Sequence, residues 1–180
     1  GLGYGGSCFP KDIKALIAYS KALGYDSSFL NAIEHINSIQ PYKAVELAKV
    51  LLRDLKGKRI AVLGLAFKPD TDDMREAVSL KIIKGLLQEG AHVTAYDPVA
   101  TSNAKKILGN RIEYASSAIE CLKGADCCIL VTEWDEFRKL TPEEFVENMR
   151  QPCLVDGRRI YNPEKFSRKL EFRAVGLGYP

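Results

Sequence analysis

A single cysteine stands between a run of glycines and the start of a helix in Gly1-Leu-Gly-Tyr-Gly-Gly-Ser-Cys-Phe-Pro-Lys-Asp12. A buried cysteine is more often a small core hydrophobe, so it is the neighbourhood that singles out Cys8 as a candidate nucleophile. Glycines at 1, 3, 5 and 6 let the backbone take positive φ and come close to a ligand. Pro10 suits a first helical turn, and Lys11 and Asp12 open an amphipathic run through Ile13, Leu16 and Ile17. Cys8 is therefore expected at or just before a helix N-terminus. There the positive end of the helix dipole and the Lys11 ammonium favour the thiolate, the form that attacks carbonyl carbon. Asp12, one turn from Cys8, is placed to accept a hydrogen bond from an active-site water or lysine. An acid favoured by the dipole explains it equally well.

The glycines at 1, 3 and 6 also match G-x-G-x-x-G. That fingerprint needs a strand immediately before it, and none precedes Gly1 in this sequence, so a dinucleotide site is not assigned to it.

The elements that must position the cysteine follow in order. A helix is predicted over residues 10–23, closed by Gly24. Asp26, Ser27 and Ser28 offer N-caps for a long run with Phe29, Leu30, Ile33, Ile36 and Ile39 at helical spacing, continuing through Val45, Leu47, Val50 and Leu51. Pro41 should kink or split it. Beyond the Lys56-Gly57-Lys58 turn, short apolar strands alternate with helices. Strands are predicted at 59–64, 91–96, 112–114, 126–132, 153–156 and 172–175, and helices at 75–89, 100–108, 117–122 and 142–149. Apolar strands that need cover on both faces argue a doubly wound, mostly parallel Rossmann-like α/β sheet behind a long central helix.

Ligands bind beyond the carboxyl ends of such strands. Three loops there carry reactive or cationic residues. The loop from Gly64 to Glu76 brings Phe67, Lys68 and Arg75 to a strand-to-helix turn suited to phosphate. The loop Thr132-Glu-Trp-Asp-Glu-Phe137 holds the only tryptophan, which is read as packing before stacking. In Asp156-Gly-Arg-Arg159 a guanidinium is available to grip phosphate or a ribose edge. A strand-end cation taken singly is more often solvated or a cap partner.

Composition narrows the class. The chain has 180 residues, 46% hydrophobic and 27% charged, enough for one full core plus an appended piece. A net charge of +3 with acids and bases interleaved gives no support to nucleic acid or membrane partners, and a small anionic ligand suffices. Five cysteines, at 8, 121, 127, 128 and 153, form no C-x-x-C pair, and His35 and His92 are isolated, so no metal site is read. The odd cysteine count, without a signal peptide or an apolar run near the roughly 18 residues that cross a membrane, argues for a reducing cytoplasm.

The segment GYGGSCFPKD resembles the active-site signature of the nucleotide-sugar dehydrogenases. AFKPDTDDMRE, YDPVA, TEWDEF and DGRR follow in the same order as in that family, so the resemblance runs along the whole chain. It implies the family's central helix, as a homodimer interface, and its UDP-binding α/β domain, divided here as residues 1–54 and 55–180. The NAD-binding Rossmann domain is implied upstream of Gly1, with the lysine and asparagine that hold the reacting hydroxyl and the threonine and glutamate near the hydrolytic water. By the same resemblance Tyr4, Gly5, Phe67, Lys68 and Arg158 contact the UDP-sugar, while Lys11 and Arg75 lie toward NAD.

The implied reaction is oxidation of UDP-glucose to UDP-glucuronate with two NAD, a step in polysaccharide biosynthesis. Cys8 would capture the intermediate aldehyde as a thiohemiacetal and release the acid from a thioester. Phe9-Pro10 and the TEWDEF loop favour UDP-glucose over GDP-mannose or UDP-N-acetyl hexosamines. A non-catalytic nucleotide-sugar-binding or dimerisation module is the alternative from another class.

Overall fold

A computed structural model of the chain describes residues 1–178. Helix α1 spans Phe9–Ala22 and closes on Leu23, with Gly24 at φ 77°. Pro10 near its start has no N–H to leave unpaired, and it is the one residue that the helix buries. Leu16, Tyr19 and Leu23 stay exposed. Helix α2 covers Ser28–Ile39. Its first turn is satisfied from Asp26, whose carboxylate accepts the Ser28 N–H at 2.9 Å and the Ser28 hydroxyl at 2.6 Å, rather than from Ser27.

Helix α3, Tyr42–Leu52, follows after two residues. Gln40 and Pro41 both keep helical backbone angles, so the long run is divided without being turned aside. Pro41 has no N–H to offer the Asn37 carbonyl, and that missing bond marks the break. Ala44, Val45, Ala48 and Leu52 face inward, and α3 packs over the strands of the sheet.

The sheet is built from β1 (Arg59–Leu63), β2 (His92–Tyr96), β3 (Glu113–Tyr114), β4 (Cys127–Leu130), β5 (Cys153–Asp156) and β6 (Glu171–Ala174). All pairings are parallel, in the order β3-β2-β1-β4-β5-β6. Between them run α4 (Val78–Gln88), α5 (Thr101–Leu108), α6 (Ala118–Leu122), α7 (Asp135–Arg138), α8 (Pro142–Asn148) and α9 (Pro163–Ser167). Every residue of β4 and β5, and all of β1 after Arg59, is buried, so both faces are covered. The doubly wound reading is thereby met. Fully buried Leu63, Ile82 and Ile129 each contribute about 1.5–3 kcal/mol of apolar burial. Among the described residues no helix is long and apolar enough to cross a membrane.

Two short helices, α7 and α9, do not appear in the sequence reading, because four or five residues show no period. Asn162 caps the start of α9, its side chain accepting the Lys165 N–H at 2.9 Å. Phe166 fixes the helix by stacking on Tyr161 with ring centroids 4.3 Å apart.

At the amino end of the sheet, buried Asp126 accepts the Arg59 N–H at 2.8 Å and both arms of Arg150 at 2.7 and 2.5 Å. Burial by itself would raise this carboxyl. The Arg150 hydrogen bonds, the Arg59 amide and the nearby cations outweigh burial and hold it below its ordinary value.

Candidate functional site

The strand order reverses between β1 and β4, so their outgoing loops diverge and leave a crevice at the carboxyl edge. The walls of that crevice are set by two buried carboxylates. Asp97, 1% exposed at the end of β2, accepts five hydrogen bonds. The Leu65 and Ala66 amides reach one of its oxygens at 2.7 and 3.0 Å, joined by the Trp134 indole at 3.1 Å. Val99 and Ala100 amides take the other oxygen. Trp134 is thus a staple between loops, as the packing reading held. Asp156 holds the β5 loop through the amides of Arg158, Arg159 and Tyr161 at 2.7–3.0 Å. Buried Thr132 ties the β4 loop to the β1 loop, its hydroxyl donating to the Ala66 carbonyl at 2.7 Å.

The glycine loop lies across this edge. Leu2 is fully buried against Gly157 of the β5 loop. Gly5 meets the Glu76 carbonyl, and the Gly6 amide donates to the Arg75 carbonyl at 2.9 Å. Gly6 has φ 85°, and a Cβ there would stand 2.7 Å from the Phe67 ring, so only glycine fits between loop and ring. Among the described residues, three of the four non-glycine residues with left-handed backbone, Asp70, Glu76 and Arg159, belong to the β1 and β5 loops at this edge. Strain of this kind concentrates where a fold binds or reacts.

Each residue expected to act can now be placed. Cys8 is exposed and caps α1, its carbonyl accepting the Asp12 N–H at 2.9 Å. The other four cysteines are buried. Lys11 and Asp12 pair with each other on the exposed first turn, through one oxygen of the Asp12 carboxylate. Arg75 forks onto Asp73, with Nε 3.0 Å from Oδ1 and Nη2 2.7 Å from Oδ2. Lys11 and Arg75 are both shifted upward, first by hydrogen bonds to their own aspartates and last by the charge of the Cys8 thiolate.

Tyr4 donates its hydroxyl to Glu34, and its phenol is pushed up to about 12, first by desolvation and then by Glu34. Tyr4 is left with its ring, edge-on to Phe9 at 6.2 Å, to offer a ligand. Lys68 is exposed beside its neighbour, Nζ 5.6 Å from the Phe67 ring centroid. Arg158 is mostly buried, with Nε donating to the Val131 carbonyl at 2.5 Å and 3.1 Å from Glu133 Oε2. Among the described residues no hydrogen bond engages its terminal nitrogens, and Nη1 is aimed at Gly1.

A dinucleotide does not fit this switch point in the ordinary way. Its pyrophosphate needs three glycines spaced as G-x-G-x-x-G after the first strand, whereas only Gly64 is present, with Ala66 and Pro69 at the other two places, and its ribose needs the carboxylate at the end of the second strand. Asp97 occupies that place and has no free oxygen to give. Among the described residues no group of three His, Cys, Asp or Glu could hold a metal ion.

The model of the UDP-glucose/GDP-mannose dehydrogenase family, UDP binding domain, matches residues 61–163, the crevice and all three of its loops. The chain belongs to the UDP-glucose/GDP-mannose dehydrogenase family. The central-domain model of this family matches residues 1–39, which take in the cysteine loop, α1 and α2. Among curated relatives, the UDP-glucose 6-dehydrogenase of Haloferax volcanii is 48% identical over 160 residues, 89% of this chain and 36% of that protein. The UDP-glucose 6-dehydrogenase of Pseudomonas aeruginosa is 41% identical over 186 residues, 100% of this chain and 41% of that protein. The structure of a UDP-glucose dehydrogenase from Pyrobaculum islandicum aligns with a TM-score of 0.87 at 35% identity, over 99% of this chain and 39% of that one. That of a UDP-D-ManNAc dehydrogenase from Pyrococcus horikoshii gives 0.82 at 28%, over 98% and 39%. The chain spans about two fifths of the length of these family members.

Sequence reasoning missed Asp97, Asp156, Glu34 and Asn37 as builders of the site. The first two lie in the quoted motifs YDPVA and DGRR; Asp97 draws Leu65, Ala66 and Trp134 from loops distant in sequence, whereas the partners of Asp156 lie within five residues of it.

Proposed function

We propose that this chain is the cysteine-bearing and UDP-sugar-binding portion of an NAD-dependent UDP-glucose 6-dehydrogenase. The observation that carries the reading is the lodging of the Cys8 loop on the crevice between β1 and β4, through Leu2 on Gly157 and Gly6 on Arg75. Lys68 and the free end of Arg158 would take the diphosphate. Phe67, Tyr4 and Gly5 would line the sugar side. The Cys8 thiolate would add to the carbonyl carbon of the C6 aldehyde while the oxygen takes up a proton, so the aldehyde is held as a thiohemiacetal. Loss of a hydride from that carbon to NAD, and of the hydroxyl proton, would give the thioester, which water would cleave at the acyl carbon, returning the thiolate and releasing the carboxylate. NAD, bound elsewhere in the enzyme, would accept the hydrides that this oxidation releases, with Lys11 and Arg75 as the cations of this chain bordering it.

UDP-glucose is favoured as substrate because the relatives and the structure named for it are 35–48% identical, whereas the structures named for N-acetyl sugars are at 28% or below. Residues 1–54 would serve as the cysteine loop and dimerisation helices, and residues 55–180 as the UDP-sugar domain. The test is Cys8→Ser in the complete enzyme. Complete oxidation should be lost with UDP-sugar affinity kept within about tenfold, or about 1.4 kcal/mol. Parent-level turnover would refute the role of Cys8.

A further inference from the structure

Three side chains on one row of α2 grip the segment that leads to the cysteine. Glu34 accepts from the Tyr4 hydroxyl. Asn37 engages both backbone groups of Tyr4: Oδ1 accepts its N–H at 2.7 Å, and Nδ2 donates to its carbonyl at 3.1 Å. Gln40 Nε2 donates to the Gly1 carbonyl at 2.8 Å. Residues three apart share a helix face, so E-x-x-N-x-x-Q presents one polar row to Gly1–Tyr4. Asn37 is 8% exposed, the one buried residue of a helix that otherwise faces outward. Gly3, at φ 100°, brings the backbone so close that a Cβ there would stand 2.6 Å from Asn37 Oδ1.

An amide is the side chain that can do this. It offers an acceptor and a donor side by side, matching the N–H and C=O of one residue as a neighbouring strand would. Aspartate lacks the donor, and an apolar side chain leaves two part-buried backbone groups without partners. The sheet holds the other side of the loop, through the Gly6 amide on the Arg75 carbonyl. The Cys8 side chain has only a 3.7 Å contact between its sulfur and the Ser7 hydroxyl, while its carbonyl accepts the first bond of α1. Its place over the crevice is therefore inherited from the two clamps.

We propose that Asn37, flanked by Glu34 and Gln40, is a positioning residue that fixes the cysteine loop and thereby the reach of Cys8 toward the sugar. This rests on the reading of Cys8 as the nucleophile. It adds that α2, which reaches the site only through its grip on the segment from Gly1 to Tyr4, sets the geometry of attack, where a misplacement of about 1 Å can cost on the order of a hundredfold in rate.

The experiment uses the complete enzyme with Asn37→Ala and, as a milder variant at a more exposed position, Gln40→Ala. It measures amide hydrogen exchange over residues 1–8, kcat and KM for UDP-glucose, and the melting temperature. For Asn37→Ala, exchange in this segment should quicken by about tenfold or more, because the Tyr4 N–H loses its acceptor. At a temperature well below its melting point kcat should fall by about tenfold or more, by a larger factor than KM rises. Gln40→Ala should move both quantities the same way and less. Exchange reports the clamp without any turnover, so failure of the Cys8 reading would leave that result standing. Parent-like exchange in Asn37→Ala overturns the clamp. Quickened exchange with parent kcat overturns the positioning role, since a merely stabilising contact would lower the melting temperature and leave the folded enzyme's turnover unchanged.

Discussion

The Gly6 amide donates to the Arg75 carbonyl, joining the cysteine loop to the β1–α4 loop just before the latter enters its helix. Because Arg75 forks onto Asp73 and Phe67 packs under Gly6, this one bond brings the thiol, a cation and an aromatic wall to a common edge. Packing of this kind leaves no room for a methyl group. We predict that Gly6→Ala displaces the loop and costs on the order of 1–3 kcal/mol of stability from its left-handed backbone and the clash with Phe67. Urea unfolding of parent and variant checks it, and an unchanged midpoint would show that the loop gives way freely.

A second prediction concerns acid. The Asp126 carboxyl is held below its ordinary 3.8 by Arg150 and the Arg59 amide, against the upward push of burial. A carboxyl depressed in the folded state contributes stability that is present above its unfolded value and is lost as pH falls through the folded one. The parent should therefore lose this contribution as pH falls below about 4, whereas Arg150→Ala, already less stable above that pH, should lose less on acidification. Unfolding free energy measured across pH 2–7 tests this, and coincident acid limbs would remove Arg150 as the cause.

The open faces make a third. Phe29, Ile36 and Ile39 on α2 remain 46–76% exposed, although the helix sits beside a well-formed core. An apolar stripe of this width calls for cover. We predict a homodimer through this surface, which Ile36→Lys should shift toward monomer in sedimentation at micromolar concentration. A parent protein that sediments as a monomer would end the dimer proposal.

Legibility in the sequence followed the range of the interactions. Strands β1, β2, β4 and β5 and helices α4, α5, α6 and α8 were readable because each depends on its own apolar spacing, and every one lies within three residues of its expected ends. The position of Cys8 at a helix start was readable from Pro10 for the same reason. What could not be read is whatever depends on distant chain. Asp97 gathers Leu65, Ala66 and Trp134 from two other loops, and Asn37 meets Tyr4 across the length of α1. A lone Asp before a proline, or a lone Asn on an exposed helix, carries no local sign of such partners.

The most direct measurement is the rate of Cys8 alkylation by iodoacetamide in the complete enzyme, read by peptide mass spectrometry with and without UDP-glucose. Cys121, Cys127, Cys128 and Cys153 are at most 2% exposed and should stay unlabelled while the fold holds, so the signal belongs to Cys8 alone. We predict that saturating UDP-glucose slows labelling of Cys8 by about tenfold or more, because the sugar would cover the thiol at the edge of the β1–β4 crevice, and that Lys68→Ala or Arg158→Ala raises the concentration required. Labelling at an unchanged rate under saturating UDP-glucose would contradict the assignment of Cys8 to the sugar site.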